Sequence, residues 1–119
     1  SKGVEMGVLA STMRLMTLTA TKNDLEFRLM GITEKMSALT AQIGDLDEYN
    51  GSLDPDSATV RTLETKKKRL NQLEKKLDMQ QKLLQARLQE VMQEMQSCQQ
   101  MLGADIQSGL FSYGMGMGR

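Results

Sequence analysis

The side chains that could support chemistry are few in this 119-residue chain, and they form no familiar catalytic set. Histidine is absent and Cys98 is the single cysteine, so neither a thiol–imidazole pair nor an intrachain disulfide can form. The glycines of the GMGMG segment neither follow a predicted strand nor precede a helix, so they do not form a phosphate-binding loop. We therefore expect no enzymatic activity, no cofactor and no metal site.

Charged residues concentrate in two short stretches near the middle of the chain. Five carboxylates lie between residues 45 and 56, and the basic sequence KKKR occupies residues 66–69. The carboxylates lack the spacing of a calcium-binding loop. The basic run has no nearby aromatic residues and is flanked by Glu64 and Glu74, so no nucleic-acid partner is predicted. Two interpretations stay open: both stretches are solvated surface, or the acidic stretch of one copy contacts the basic stretch of another.

A heptad pattern predicts the first element that positions these residues. From Val8 onward, alternating steps of three and four residues meet apolar side chains at ten of twelve positions. Such a sustained pattern is typical of a long helix with one continuous packing face. We call these positions the first seam. They are Val8, Ser11, Leu15, Leu18, Lys22, Leu25, Leu29, Ile32, Met36, Leu39, Ile43 and Leu46.

A second seam follows in the later half of the chain. Its residues recur at intervals of seven and are Leu63, Leu70, Leu77, Leu84, Val91 and Cys98. Leu73 fills the intermediate heptad position early, whereas Leu88, Met95 and Leu102 fill it later and one residue further along. This change of phase near residues 79–84 predicts a local adjustment of the supercoil or of the packing face.

The two seams are joined by a segment rich in turn signals, YNGSLDPDSA. Asn50-Gly51 suits the left-handed conformation that ends a helix, and Asp54 is predicted to cap a second helix that begins at Pro55. The predicted fold is all-α, a long antiparallel, coiled-coil-like two-helix hairpin with a short acidic turn and a Gly/Met-rich tail. As one domain, it comprises helix 1 at about 6–48, the turn at about 49–54, helix 2 at about 55–106 and the tail at 107–119.

The two ends of the chain are nearly free of charge, because residues 22–96 carry 25 of the 30 charged side chains. In a hairpin these ends lie together, and helix 1 is apolar there on a second side, away from its seam. A helix that is apolar on more than one side is normally buried by more than one neighbour. The residues predicted to form an assembly interface are Met6, Leu9, Met13, Met16, Leu110, Phe111, Tyr113, Met115 and Met117.

These features predict a structural subunit that self-assembles through its apolar terminal segments into a helical filament or tube. An intracellular coiled-coil adaptor that forms a small helical bundle is the alternative. No stable membrane span is expected, because no stretch of about 20 mainly apolar residues occurs. Glu5 and Arg14 interrupt the first residues, so we do not expect them to act as a cleaved signal peptide.

The layout, with paired long helices whose apolar N- and C-terminal segments meet, resembles that of known filament proteins. It is similar to the terminal helices of flagellin and to the needle and filament subunits of type III secretion systems. The loop lacks the Pro-x-x-Asn-Pro turn typical of needle subunits, so the resemblance concerns layout alone. It implies a bacterial homopolymer, extracellular or on the cell surface, that an export machinery secretes without a cleaved signal peptide. The adaptor alternative implies a cytoplasmic location.

Overall fold

Two long helices make up the structure, a computed structural model that describes residues 2–117. Helix α1 comprises Lys2–Gly51 and helix α2 comprises Ala58–Met117. Side chains are described throughout this range except at residues 112 and 115–117. No strand occurs among the described residues, and the chain is an all-α antiparallel hairpin, which confirms the predicted fold class.

The hairpin divides into two compact units, each containing a part of both helices. The terminal unit is Ser1–Glu26 with Ala86–Arg119, and the loop unit is Phe27–Gln85. Each unit has its own buried side chains between α1 and α2. In the terminal unit these are Ser11, Leu18, Leu25, Val91 and Cys98, and in the loop unit they are Leu39, Val60 and Leu77.

The segment TLTAT, whose alternation also suits a strand, lies within α1. Three threonine hydroxyls there donate hydrogen bonds to the carbonyl oxygen four residues earlier: Thr17 to Met13 (3.1 Å), Thr19 to Leu15 (2.8 Å) and Thr21 to Thr17 (3.0 Å). These bonds give the hydroxyls partners inside the helix, so the β-branched run does not interrupt it.

The loop differs from the predicted turn at both of its ends. Gly51 belongs to α1, and none of the described residues has a positive φ angle, so the predicted left-handed helix end is wrong. Instead, the amide of Ser52 donates to the carbonyl of Tyr49 at 3.2 Å, and the Ser52 hydroxyl donates to the same oxygen at 2.7 Å. These bonds satisfy one of the carbonyls that a helix end leaves without a partner in the helix.

The start of α2 also requires a correction, because Pro55 lies in the loop and Ser57 is the capping residue. The Asp54 carboxylate accepts a hydrogen bond from the amide of Asp56 at 3.1 Å, which makes a local turn around Pro55. The Ser57 hydroxyl accepts a hydrogen bond at 3.2 Å from the amide of Val60, which lies three residues later in the first turn of α2. Ser57 therefore caps α2, and the prediction that Asp54 caps it is wrong.

At its other end, α2 continues through most of the segment predicted as a separate tail. The helix includes residues 107–117, whereas the sequence pattern placed its end at about 106. The glycines at 109 and 114 do not end the helix. Gly118 and Arg119 lie outside the described residues.

All twelve positions of the first seam are buried or half-buried in the structure. The two polar members behave like the apolar ones in this respect, because Ser11 is 8% exposed and Lys22 is half-buried. Lys22 keeps its charge near water, where its ammonium lies 3.5 Å from the Glu26 carboxylate one turn later. Small or flexible polar side chains can therefore occupy the seam without breaking its heptad spacing.

The second seam keeps one phase along α2, so the predicted change near residues 79–84 is wrong. Leu73 is exposed, and the intermediate position is occupied by the polar, half-buried Glu74. Lys67 and Gln81 occupy the equivalent positions one heptad before and after it. Buried or half-buried residues follow alternating steps of three and four along α2: Val60, Leu63, Lys67, Leu70, Glu74, Leu77, Gln81, Leu84, Leu88, Val91, Met95, Cys98, Leu102, Asp105 and Gly109.

Substitution of Glu74 by leucine should stabilise the loop unit, because it places an apolar side chain in a half-buried seam position. We expect the free energy of unfolding to rise by about 1 kcal/mol. The matched control is Leu73→Gln at the exposed neighbouring position, which should change it by less than about 0.5 kcal/mol. Urea unfolding followed by far-ultraviolet circular dichroism measures both, in a chain that also carries Met13→Lys and Met16→Lys so that assembly does not add to the apparent stability. A larger loss from Leu73→Gln than the gain from Glu74→Leu would contradict the observed phase of the seam.

Candidate assembly surface

In the terminal unit, small residues allow close contact between α1 and α2. The Cys98 thiol donates a hydrogen bond to the carbonyl oxygen of Ser11 at 3.1 Å, and both residues are buried. A β-carbon added at Gly109 would lie 3.2 Å from a methyl carbon of Val4. Cys98 is therefore a small packing residue, as its seam position predicted, and its buried thiol is not placed to act as a nucleophile.

One row of apolar side chains on α1 faces away from this packed seam. Met6, Leu9, Met13 and Met16 are between 53% and 68% exposed. They follow one another at steps of three, four and three residues, which is the spacing of a second heptad face on the same helix. We call these four residues the methionine row. No part of the described chain covers them.

The last turns of α2 add further exposed apolar side chains to the terminal unit. Leu110, Phe111 and Tyr113 are each more than 65% exposed. Met115 and Met117 lie in α2, but their side chains are outside the described part of the structure. Three residues that the sequence analysis did not select, Met92, Met101 and Ile106, are exposed as well.

A shallow apolar groove brings residues from both ends of the chain together. Its volume is about 480 Å³, and Leu9 of α1 and Leu110 of α2 both line it. The polar lining residues are Glu5, Thr12 and Asp105, and the remaining ones are Val4, Val8, Ile106 and Gly109. The groove thus unites one residue of the methionine row with one residue of the C-terminal segment. Met13, Met16, Phe111 and Tyr113 are exposed elsewhere on the unit.

Arg14, the lone charge in the apolar run from Met6 to Thr21, has a structural partner on α2. Its guanidinium donates to the Glu94 carboxylate at 2.7 Å, and both side chains are more than half exposed. An exposed pair of this kind contributes about 0.2–1 kcal/mol. It links the two helices without adding a charge to the methionine row.

The loop unit carries exposed apolar residues that were not predicted from the sequence, because residues 22–96 carry most of the charged side chains. Phe27, Met30, Met79 and Leu83 are all more than 60% exposed. A groove of about 510 Å³ lies beside two of them, lined by Phe27, Arg28, Gly31, Ile32, Lys35, Gln80, Leu83 and Leu84. The signal was present in the spacing, since Phe27 and Met30 fall outside the first seam but are separated by one helical turn.

Neither a metal-binding cluster nor a membrane-spanning stretch occurs among the described residues. They contain no group of three or more side chains arranged to hold a metal ion. Within the same part of the chain, neither helix has a stretch long and apolar enough to cross a membrane. The surface features that distinguish the molecule are therefore the methionine row, the two grooves and the charges of the loop unit.

Comparison of the chain with protein-family models, with curated proteins and with solved structures found no match.

Proposed function

We propose that this chain is a structural subunit that self-assembles into a helical filament or tube through its apolar terminal segments. The observation that carries the proposal is the methionine row, an exposed second heptad face on a helix whose first face is already packed. Exposed apolar surface of this extent is rare on monomers and marks sites of protein–protein contact. The C-terminal residues Leu110, Phe111 and Tyr113 extend the same apolar character to the other helix of the unit.

The apolar surface is large enough to drive association. Seven of the predicted interface residues are more than half exposed: Met6, Leu9, Met13, Met16, Leu110, Phe111 and Tyr113. Burial of each side chain contributes about 1.5–3 kcal/mol, so full coverage gives on the order of 10–20 kcal/mol. Lost rigid-body freedom opposes this by about 4–15 kcal/mol, and ordering of each long methionine side chain opposes it by about 0.5–1.5 kcal/mol. The apolar burial is of the same order as these opposing terms, so it is sufficient for reversible contact between copies.

The shapes of the two apolar features favour an extended assembly over a closed pair. Met6, Met13 and Met16 of the methionine row lie outside the groove and form a ridge on α1, whereas the groove beside Leu9 and Leu110 is a concave surface formed by both helices. A ridge of one copy that enters the groove of another makes a contact between two different surfaces. Contacts of this type repeat without closing unless a rotation returns them to the start, so they generate filaments, tubes or rings.

Export and an extracellular or cell-surface location belong to the same proposal. Their support is the layout resemblance to exported filament subunits, and an export machinery would then be a transient partner.

A coiled-coil adaptor that forms a small bundle is the second candidate, and the spacing of the methionine row supports it. Steps of three and four residues suit knobs-into-holes packing against a partner helix. In that case the row would meet one or two helices in a closed bundle, and the chain would act inside the cell.

Imaging of the purified full-length chain separates these candidates. We expect negative-stain electron microscopy to show filaments or tubes and sedimentation velocity to show particles far heavier than a few chains. A discrete bundle of two to four chains would support the adaptor. A single well-behaved species of monomer mass at high concentration would overturn both candidates.

A further inference from the structure

In the loop unit, the exposed charges of the two helices are opposite in sign. Between Phe27 and Gly51, α1 has four acidic and two basic residues, whereas α2 has eight basic and three acidic residues between Ala58 and Gln85. One ion pair joins the two helices, from Lys67 to Asp47. Another, Lys82 to Asp78 at 3.0 Å, lies within α2. Most of the remaining charges are exposed.

The position of these charges is unfavourable for each helix considered alone. Asp45, Asp47 and Glu48 lie near the C-terminal end of α1, where the helix dipole favours cations, and no basic residue lies in the last turn. At the start of α2 the dipole favours anions, yet its first turn contains no acidic residue. Helix stability therefore does not explain why acidic residues collect on α1 and basic residues on α2.

The acidic residues of α1 form a regular row with small residues at its centre. Steps of three and four lead through Glu34, Ala38, Ala41, Asp45 and Glu48, and all five are exposed. We call these five residues the acidic row. Phe27, which is 75% exposed, lies one heptad before Glu34. Alanine at the centre lets a second helix approach to about 8 Å between axes.

On α2, a matching row repeats at intervals of seven residues. Thr62, Arg69, Lys76 and Leu83 are all exposed, and we call them the basic row. Leu83 lines the same groove as Phe27, so each row has an exposed apolar residue beside that groove. Arg69 and Lys76 form no ion pair or hydrogen bond within the described chain.

We propose that the acidic row of one copy packs against the basic row of a second copy that lies beside it in the same orientation. Because α1 and α2 are antiparallel in the hairpin, two copies in one orientation bring these rows together antiparallel. Phe27 beside Leu83 of the second copy then places Glu34 beside Lys76 and Ala41 beside Arg69, since every step is seven residues. One register thus pairs the apolar Phe27 with Leu83 and the acidic Glu34 with the basic Lys76.

This contact rests on the proposed self-assembly and adds to it the arrangement of neighbouring copies. Charge complementarity contributes to orientation and register more than to raw affinity, whereas the terminal apolar segments supply most of the association. The two rows are different surfaces, so each copy offers one of them to each neighbour and the contact repeats. A second copy is favoured over an anionic polymer because the acidic row would have no role in binding such a polymer.

Two charge-reversal variants and their mixture test the contact. The first is Glu34→Lys/Asp45→Lys/Glu48→Lys, and the second is Thr62→Glu/Arg69→Glu/Lys76→Glu. All six side chains are exposed, and none belongs to the ion pairs of the unit, so both variants should keep the helicity of the native chain. Alone, each presents like charges on both rows, and we expect its critical concentration for assembly to rise on the order of tenfold.

An equimolar mixture of the two variants should assemble at the native concentration, because each then carries the row that the other requires. A chain with both triple substitutions should assemble alone for the same reason. Pelleting assays and electron microscopy measure the assembled fraction, and circular dichroism verifies the fold. Assembly of either single variant at the native concentration, or no recovery in the mixture, would overturn the proposed contact. If only the second variant loses assembly, the basic row binds an anionic partner, and the proposed contact between the two rows is wrong.

The same experiment separates this contact from the proposed function. If native chains do not assemble, the proposed function fails, and the side-by-side contact that rests on it fails as well. If native chains and both single variants assemble alike, self-assembly stands and the side-by-side contact is wrong.

Discussion

Replacement of Met13 and Met16 by lysine should abolish assembly while the helical hairpin stays folded. These side chains are 60% and 68% exposed and lie outside the seam, so the new ammonium groups remain in water in an isolated chain. In an assembly they would be buried against apolar surface without partners, which is far less favourable than the contacts they replace. We expect the critical concentration to rise by about a hundredfold or more, equivalent to about 3 kcal/mol. Sedimentation velocity measures the particles, and circular dichroism measures helicity.

The matched control for this change is Gln89→Lys/Gln93→Lys, which adds the same charge to exposed polar positions on α2 of the terminal unit. It should assemble like the native chain. Particles of native mass from the methionine variant would show that the methionine row lies outside the contact. Loss of helicity in that variant would contradict the assignment of both residues to an exposed face.

Much of the fold could be predicted because burial in a coiled-coil-like hairpin repeats at a short and regular interval. Every first-seam position from Val8 to Leu46 is at least half-buried, even where the residue is Ser11 or Lys22. The periodicity of the apolar majority determines which side of the helix packs, and isolated polar residues follow it.

The same rule explains the error in the second seam. Leu73 was preferred over Glu74 because it is apolar, although Leu70, Leu77 and Leu84 already determined the phase of the helix. One adjacent leucine cannot rotate a helix whose neighbouring heptads agree. The polar residues Lys67, Glu74 and Gln81 therefore lie in the seam, where their long stems can pack while their polar ends reach water.

The capping residue of α2 could not be predicted from the sequence, because more than one side chain in the loop can form the capping hydrogen bond. Asp54 and Ser57 are both good capping residues, and the sequence before α2 contains each of them. The Asp54 carboxylate bonds to the amide of Asp56, which leaves the serine to cap the helix. Choices of this kind follow from the geometry of the closed loop rather than from residue type.

The sequence predicted the methionine row but not the exposed apolar residues of the loop unit. The methionine row stands out in the sequence because charged residues are nearly absent around it. Phe27 and Leu83 are exposed to a similar degree, but they lie among charged residues in the sequence. The low charge that marks the methionine row is therefore absent around them. Whether a single apolar residue on a charged helix is exposed depends on which side of the helix packs. That side is known for each residue only from the folded structure.

Substitution of Leu18 by alanine should destabilise the isolated hairpin strongly, because the molecule has few fully buried side chains. Leu18 is 4% exposed, and only six other apolar residues of the described chain are buried to a similar degree. Removing a buried leucine side chain costs about 2–5 kcal/mol, which is a large part of the roughly 5–15 kcal/mol that stabilises a typical domain. We expect a loss of about 3 kcal/mol in urea unfolding followed by circular dichroism.

This measurement belongs in the Met13→Lys/Met16→Lys background, because assembly would otherwise add to the apparent stability. The control is Met6→Ala in that background, at a position that is 64% exposed, and it should change the free energy of unfolding by less than about 0.5 kcal/mol. Equal losses from the two substitutions would mean that Met6 is buried within the single chain. The methionine row would then be part of the hairpin's own core, and the surface on which self-assembly depends would not exist.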